Sequence, residues 1–293
     1  MHITDLDLYA KLLKEKSGLI VSQDKAYLLE SRLSPVAKSW GFETLSAMTQ
    51  TLHGVPDAKL VEDIVEAMTT NETSFFRDTR PFDMFRDHLL TYMKDARKVQ
   101  KRVRIWCAAA SSGQEPYTLA MVIKELAAEY PGWQFTITAT DISNDILEQA
   151  KAGVYSQFEV QRGLPIQLLM KYFTQNGQSW QVCDALKSMI SYRQFNLLHS
   201  MSGLGTFDII FCRNVLIYFD EPTKGTVLAN MARQLEPDGF LVLGGAETVI
   251  GITDAFAPVP NQRGAYGLVG GPHLKKPEEG MPPTAAAAIG SGT

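Results

Sequence analysis

The chain has 293 residues, 45% hydrophobic and 20% charged, enough to bury a real core in one or two domains. Its formal net charge of −4 speaks against broad electrostatic binding to nucleic acid, and its five histidines (His2, His53, His88, His199, His273) lack metal-ligand spacing. Three cysteines (Cys107, Cys183, Cys212), no apolar run long enough to span a bilayer and no signal-peptide pattern are what a soluble cytoplasmic protein is expected to show.

In chain order, LDLYAKLLKEKSGLI, KAYLLESRLSPVAKSWG, TLSAMTQTLHG and AKLVEDIVEAMT each repeat apolar residues at three and four spacing, the period of an amphipathic helix. Gly18, Gly41 and Gly54 stand where such helices would stop. Residues 1–68 are therefore expected to form a small all-helical domain. Pro35 is expected to bend or end the second helix before Lys38.

From about residue 100 the texture changes. VRIWCAA, FTITATDI, FDIIFCRNVLI and GFLVLGG are β-rich apolar runs, separated by helical segments such as PYTLAMVIKELAAEY and TKGTVLANMARQLEPDG. The alternation predicts an α/β fold, a mainly parallel sheet with helices on both faces. Residues 171–195 break that rhythm and carry Asn176-Gly177, a hairpin turn signal, so they read as a small antiparallel β insertion. Residues 271–293 are rich in Pro, Gly and Ala, the composition of a disordered tail.

Ligands of open α/β sheets bind beyond the carboxyl ends of the strands. The first such end, in VRIWCAAASSGQEPYTLAMVI (103–123), has the layout of a nucleotide loop but only one glycine, Gly113, and no P-loop lysine. Ala108 to Gly113 are small enough to admit a flat ligand. Glu115 stands where a phosphate would otherwise sit. The next strand ends at Thr140-Asp141, and a carboxylate there suits a ribose diol, because it accepts two hydrogen bonds. Both acids also have plainer readings. Glu115 suits the positive end of the helix it begins, and Asp141 could cap the helix that follows. Together with the missing glycines they favour a nucleoside ligand with positive charge and no phosphates, which describes S-adenosylmethionine.

Five strings in one order carry a more specific signal: NETSFFR (71–77), CAAASSGQEPY (107–117), ATDI (139–142), NLL (196–198) and CRNVLIYFD (212–220). On these the chain, over residues 5–269, resembles the CheR family of chemotaxis receptor methyltransferases. The resemblance implies a helical domain, a linker over 69–85 that contributes to the active site, and a Rossmann-like S-adenosylmethionine methyltransferase domain over 86–270 that contains the β insertion. It implies that Asn71, Thr73 and Arg77 line the cofactor and acceptor site, and that Glu115 and Asp141 share the methionine and ribose portions. Asn196 with Leu197, and Arg213 with Asn214, would complete the adenosine pocket.

The implied reaction moves a methyl group from S-adenosylmethionine to glutamates on the cytoplasmic coiled coil of chemoreceptors, releasing S-adenosylhomocysteine. A glutamate, with a pKa of ~4.3, is already ionised at neutral pH and needs no general base. Arg77 is expected to orient the acceptor carboxylate, with Tyr218 a second candidate in the same pocket. Lys25, Arg32 and Lys38 match in spacing a basic helix with which related enzymes contact the receptor's acidic methylation region. A solvated face of an ordinary helix is the alternative, since Asp24 and Glu30 are interspersed. In some members the β insertion docks a receptor C-terminal peptide; the short TQNGQSW turn points instead to an enzyme that does not need the peptide. A monomer is expected. A small-molecule methyltransferase and a binding module without activity are the competing readings.

Overall fold

A computed structural model describes residues 3–274 of the chain. Four helices come first: α1 (Ile3–Ser17), α2 (Ala26–Ser39), α3 (Leu45–Leu52) and α4 (Ala58–Met68). Their apolar stripes meet in one core, with Tyr9, Leu13, Leu29, Leu33, Met48 and Ile64 all fully buried. Local chemistry sets the ends. Thr44 and Asp57 cap α3 and α4 by accepting from Ala47 N and Lys59 N. Gly18, at φ +78°, ends α1 by donating to Lys14 O at 2.9 Å.

Of the expectation that Pro35 bends or ends the second helix, the ending is overturned, since α2 runs through it to Ser39. Proline removes one backbone N–H and orphans the carbonyl of Ser31, which lies on the exposed face and can take water. Leu29, Leu33 and Ala37 are all buried on the other face, and their packing holds the helix together.

Beyond residue 79 come α5 (Arg80–Met84), a π turn (Phe85–Leu89) and α6 (Leu90–Ala96), then β1 (Arg102–Ala108), α7 (Gln114–Glu125) and β2 (Gln134–Asp141). Next are α8 (Asn144–Ala152), β3 (Val154–Ser156), α9 (Gln157–Gln161), α10 (Ile166–Tyr172), β4 (Phe173–Asn176) and β5 (Ser179–Val182). The chain continues through α11 (Asp184–Lys187), β6 (Ile190–Gln194), β7 (Phe207–Cys212), α12 (Glu221–Ala232), β8 (Leu235–Leu243), β9 (Phe256–Pro258) and β10 (Ala265–Leu268). The main sheet has seven strands in the order β6-β2-β1-β7-β8-β10-β9. Its first five are parallel, and β10 and β9 add on antiparallel.

Side-chain alternation along β1 divides the core between the two faces of the sheet. Val103, Ile105 and Cys107 join a cluster with Phe82, Phe85 and Tyr117, while Trp106 and Ala108 join Leu216, Val227 and Leu241 on the other side. Both faces of β1 and β7 are therefore dry, which explains their continuous apolar runs.

The insertion differs from the expected 171–195. A three-stranded antiparallel sheet, β3-β5-β4, begins upstream at Val154, and β6 belongs to the main sheet, paired with β2 from Ile137↔Ile190 to Asp141↔Gln194. As an edge strand β6 is only half covered, so ISYRQ carries no apolar run to mark it. Asn176 and Ser179 pair across a two-residue turn with Gly177 at φ +61°, where the hairpin was expected. At the C-terminal end a short turn, Pro272–Leu274, packs His273 on Phe240 with ring centroids 4.0 Å apart. Ordered chain thus reaches into the segment read as a disordered tail, and residues 275–293 lie outside the described residues.

Candidate active site

From β1 the chain runs to β2 and β6 on one side and then returns to β7 on the other, so the sheet switches direction beside β1. Such a switch opens a crevice at the carboxyl ends of the strands. Ten residues expected at the site line one pocket there: Asn71, Thr73, Arg77, Glu115, Asp141, Asn196, Leu197, Arg213, Asn214 and Tyr218.

The floor is the loop between β1 and α7. Ala109, Ser111 and Gly113 all adopt positive φ (59°, 50° and 92°). A Cβ on Gly113 would lie 2.9 Å from Ala150 Cβ and 3.0 Å from the Tyr192 hydroxyl, so only glycine fits there. Among the described residues eight non-glycine residues have positive φ, and three of them, Ala109, Ser111 and Asn214, line this crevice. Strain of this kind persists where surrounding contacts enforce it. The contacts are present: Tyr155 OH donates to Ser112 O at 2.6 Å, and Ser111 Oγ donates to Asn71 O at 2.9 Å.

Asp141 closes the loop from β2. Its Oδ2 accepts from Ser111 N at 2.8 Å and its Oδ1 from Ser143 N at 3.1 Å. Ser143, not Asp141, caps α8. Each carboxylate oxygen keeps a second lone pair for a diol in the pocket. Burial pushes the Asp141 carboxyl up, opposed by these backbone donors.

Glu115 does not stand as a bare anion. Its Oε2 accepts from Arg213 at 2.8 Å, and Arg213 also donates to Asp78 Oδ2 and Arg77 O, both at 2.9 Å. Burial pushes Glu115 up while Arg213 holds it down. The Arg213 guanidinium is buried, lies 5.3 Å above the Phe82 ring, and leaves its Nε without a partner. Arg213 therefore ties the linker to Glu115 as well as lining the pocket.

The linker is anchored at several points. Phe76 N donates to Thr118 Oγ1 at 3.2 Å, Gly163 packs under the carbonyl of Phe75, and Arg77 donates to Glu72 O at 2.7 Å. The N-terminal helices supply a wall through Ser17 and Leu19. Asn196 Nδ2 donates to Lys16 O at 2.6 Å, Ile20 N donates to Tyr218 O at 3.0 Å, and Lys14 pairs with Asp220 at 2.6 Å.

Lys25, Arg32 and Lys38 lie outside this pocket. Lys25 and Lys38 are exposed, near opposite ends of α2. Arg32, expected to contact the acceptor, has its Nη1 donating to Met68 O and Thr69 O, both at 2.9 Å, which clips the start of the linker to α2. Two carboxylates that tie together the segments around the pocket escaped the sequence reading. Glu66 accepts from Ser143 Oγ at 2.6 Å and Asp145 N at 3.0 Å, joining α4 to the turn after β2. Glu247, after β8, accepts four backbone N–H groups. Neither sits in a motif, and each finds its partners only through the fold.

A parallel sheet switching at β1, a small-residue loop without a phosphate cradle, and buried carboxylates after β1 and β2 define a Rossmann-like methyltransferase that uses S-adenosylmethionine. The residues present suit that cofactor, with acceptors for a diol at Asp141 and, at Glu115, a carboxylate whose other oxygen Arg213 leaves free for an ammonium donor. The family model described as CheR methyltransferase, SAM binding domain, matches residues 71–265, and the chain belongs to that family. It is 41% identical over 254 residues to the chemotaxis protein methyltransferase of Vibrio parahaemolyticus, covering 86% of this chain and 91% of that one. It is 38% identical to the chemotaxis protein methyltransferase Cher2 of Pseudomonas putida, covering 87% and 94%, and 31% identical to the chemotaxis protein methyltransferase of Escherichia coli, covering 81% and 82%. Among the described residues no helix is long and apolar enough to cross a membrane.

Proposed function

We propose that the enzyme esterifies glutamate side chains on the cytoplasmic methylation helices of chemoreceptors, setting adaptation in chemotaxis, and that it works in the cytoplasm. The observation that carries this reading is the family membership of a chain whose linker, residues 71–77, lines the same pocket as Glu115 and Asp141. Bound S-adenosylmethionine supplies an activated methyl group on a sulfonium. Asp141 holds the ribose diol, and Glu115 takes the positively charged amino-acid end. Asn71, Thr73, Asn196, Leu197 and Asn214 complete the cofactor's walls.

The acceptor carboxylate is already ionised, so the transfer needs alignment and not a proton acceptor. One glutamate oxygen forms a bond to the methyl carbon as the sulfur–carbon bond breaks. The bonding pair stays on sulfur, which becomes the neutral thioether of S-adenosylhomocysteine. Arg77, held at the pocket by the Glu72 carbonyl, orients the carboxylate with Tyr218 beside it. The ester is neutral, so an Arg77 contact too tight in the ground state would slow transfer. Lys25 and Lys38 are the exposed cations through which α2 attracts an acidic receptor helix.

Incubating the enzyme with methyl-labelled S-adenosylmethionine and isolated receptor cytoplasmic fragments tests this reading. Label on the receptor that base releases as methanol supports it. Receptor left unlabelled, or label stable to base, rejects it.

A further inference from the structure

Glu247 sits just beyond β8, in a sequence, GGAET, that carries no catalytic motif. Its Oε2 accepts from Asn214 N and Gly244 N, both at 2.8 Å. Its Oε1 accepts from Val215 N at 2.9 Å and Leu216 N at 2.8 Å. Three successive N–H groups after β7 thus converge on one carboxylate, a backbone nest whose anion comes from the chain itself. Hydrogen bonds to an ionised acceptor are the strong kind, and four on one side chain fix the turn in place.

That turn leads directly into the pocket. Arg213 and Asn214 line it, Asn214 is held at φ +58°, and the turn Leu216–Tyr218 carries Tyr218 to the same wall. Gly244 gives independent evidence of a built arrangement. A Cβ there would lie 2.7 Å from Glu247 Oε2 and 3.0 Å from Asn214 N, so the close approach of β8 to the turn requires glycine.

We propose that Glu247 is a positioning residue for methyl transfer, a fixed internal anion that holds Arg213, Asn214 and Tyr218 in working register at the cofactor pocket. It touches neither cofactor nor acceptor and acts through the turn. This rests on the reading that the turn after β7 forms a wall of the cofactor pocket.

The test compares Glu247→Gln and Glu247→Ala with Asp238→Asn as a stability control. Asp238 accepts from Arg97 at 2.8 and 2.6 Å beside the starting end of β8, the end remote from the pocket. A glutamine offers one acceptor oxygen, and its NH2 faces two of the four N–H donors, so the nest opens without a change of side-chain volume. S-adenosylhomocysteine titration of Glu247→Gln should show affinity at least about tenfold weaker, with kcat also reduced. Asp238→Asn should lower the melting temperature yet keep affinity within about twofold, as expected for a distant site. In Glu247→Ala, added formate should refill the nest and restore part of the lost affinity in a saturable way, and should do nothing for Asp238→Asn.

Wild-type affinity in Glu247→Gln, an equal affinity loss in Asp238→Asn, or no gain with formate overturns the proposal. Asn214→Ala separates the two readings. If it leaves affinity unchanged, the turn is not a cofactor wall; if it weakens affinity while Glu247→Gln does not, only the role of Glu247 falls.

Discussion

Replacing Arg213 with methionine removes the guanidinium and keeps apolar bulk against Phe82. Arg213 has 2% of its side chain exposed and Glu115 12%, so their 2.8 Å pair is effectively buried. Breaking a buried pair from one side costs about 3–5 kcal/mol, mostly for the charge left stranded. Asp78 is 54% exposed, so its contact adds at most about 1 kcal/mol. Arg213→Met should therefore lose about 4 kcal/mol near neutral pH, mainly through Glu115. The pH dependence gives the sign. Burial already raises the Glu115 carboxyl, and Arg213 is the cation opposing that rise. Without it the folded-state value climbs further above the unfolded value of ~4.3. A raised acid stabilises the fold below the unfolded value, and that contribution is lost as pH rises through the folded value. The variant should thus approach wild type near pH 5 and be weakest near pH 8. Arg213→Met/Glu115→Gln has no stranded charge, so it should recover most of the loss and show little of the pH slope. Urea unfolding of the variants at both pH values measures this. A double variant no more stable than Arg213→Met, or a loss equal at the two pH values, refutes the reasoning.

Asp141→Asn faces one of its two N–H partners, Ser111 or Ser143, with an amide donor, and it loses the charge meant for the ribose; S-adenosylhomocysteine should bind about 1.5–3 kcal/mol more weakly by calorimetry. Arg32→Ala frees the Met68 and Thr69 carbonyls and should weaken cofactor binding, because Thr69 and Thr70 line the pocket; Lys25→Glu should leave that binding alone and slow receptor methylation. Gly113→Ala forces a Cβ into contact with Ala150 and Tyr192 at positive φ, and should cost about 1–3 kcal/mol in a thermal or urea melt. Burial lowers the pKa of His273, so the fold resists its protonation; stability should be full above the unfolded value of ~6.5 and fall as pH drops below it, a slope that His273→Phe should flatten in melts between about pH 7.5 and 5.5.

The α/β order and the four N-terminal helices were legible because their apolar residues repeat at the periods of structures buried on one or both faces. β6 was not, because an edge strand needs no apolar run, and Pro35 misled because tertiary packing of Leu29, Leu33 and Ala37 outweighed one lost hydrogen bond. At the site, the small-residue loop and Asp141 were visible as a nucleoside pocket, since both lie at strand ends that periodicity locates. Their partners were not. Arg213 neutralises Glu115, Arg32 clips the linker, and Glu247 holds the turn after β7, and each of these pairings joins residues at least 31 positions apart. A single sequence shows residue types along the chain, and these carboxylates acquire their work only when the fold brings N–H groups to them.

The most direct test is the crystal structure of the enzyme with S-adenosylhomocysteine. The ribose hydroxyls should lie within hydrogen-bonding distance of Asp141, and the amino-acid end beside Glu115. The sulfur should face Arg77 across the space left for an acceptor carboxylate. A ligand whose ribose contacts neither Asp141 nor the β1–α7 loop, or whose sulfur points away from the linker, would contradict the account.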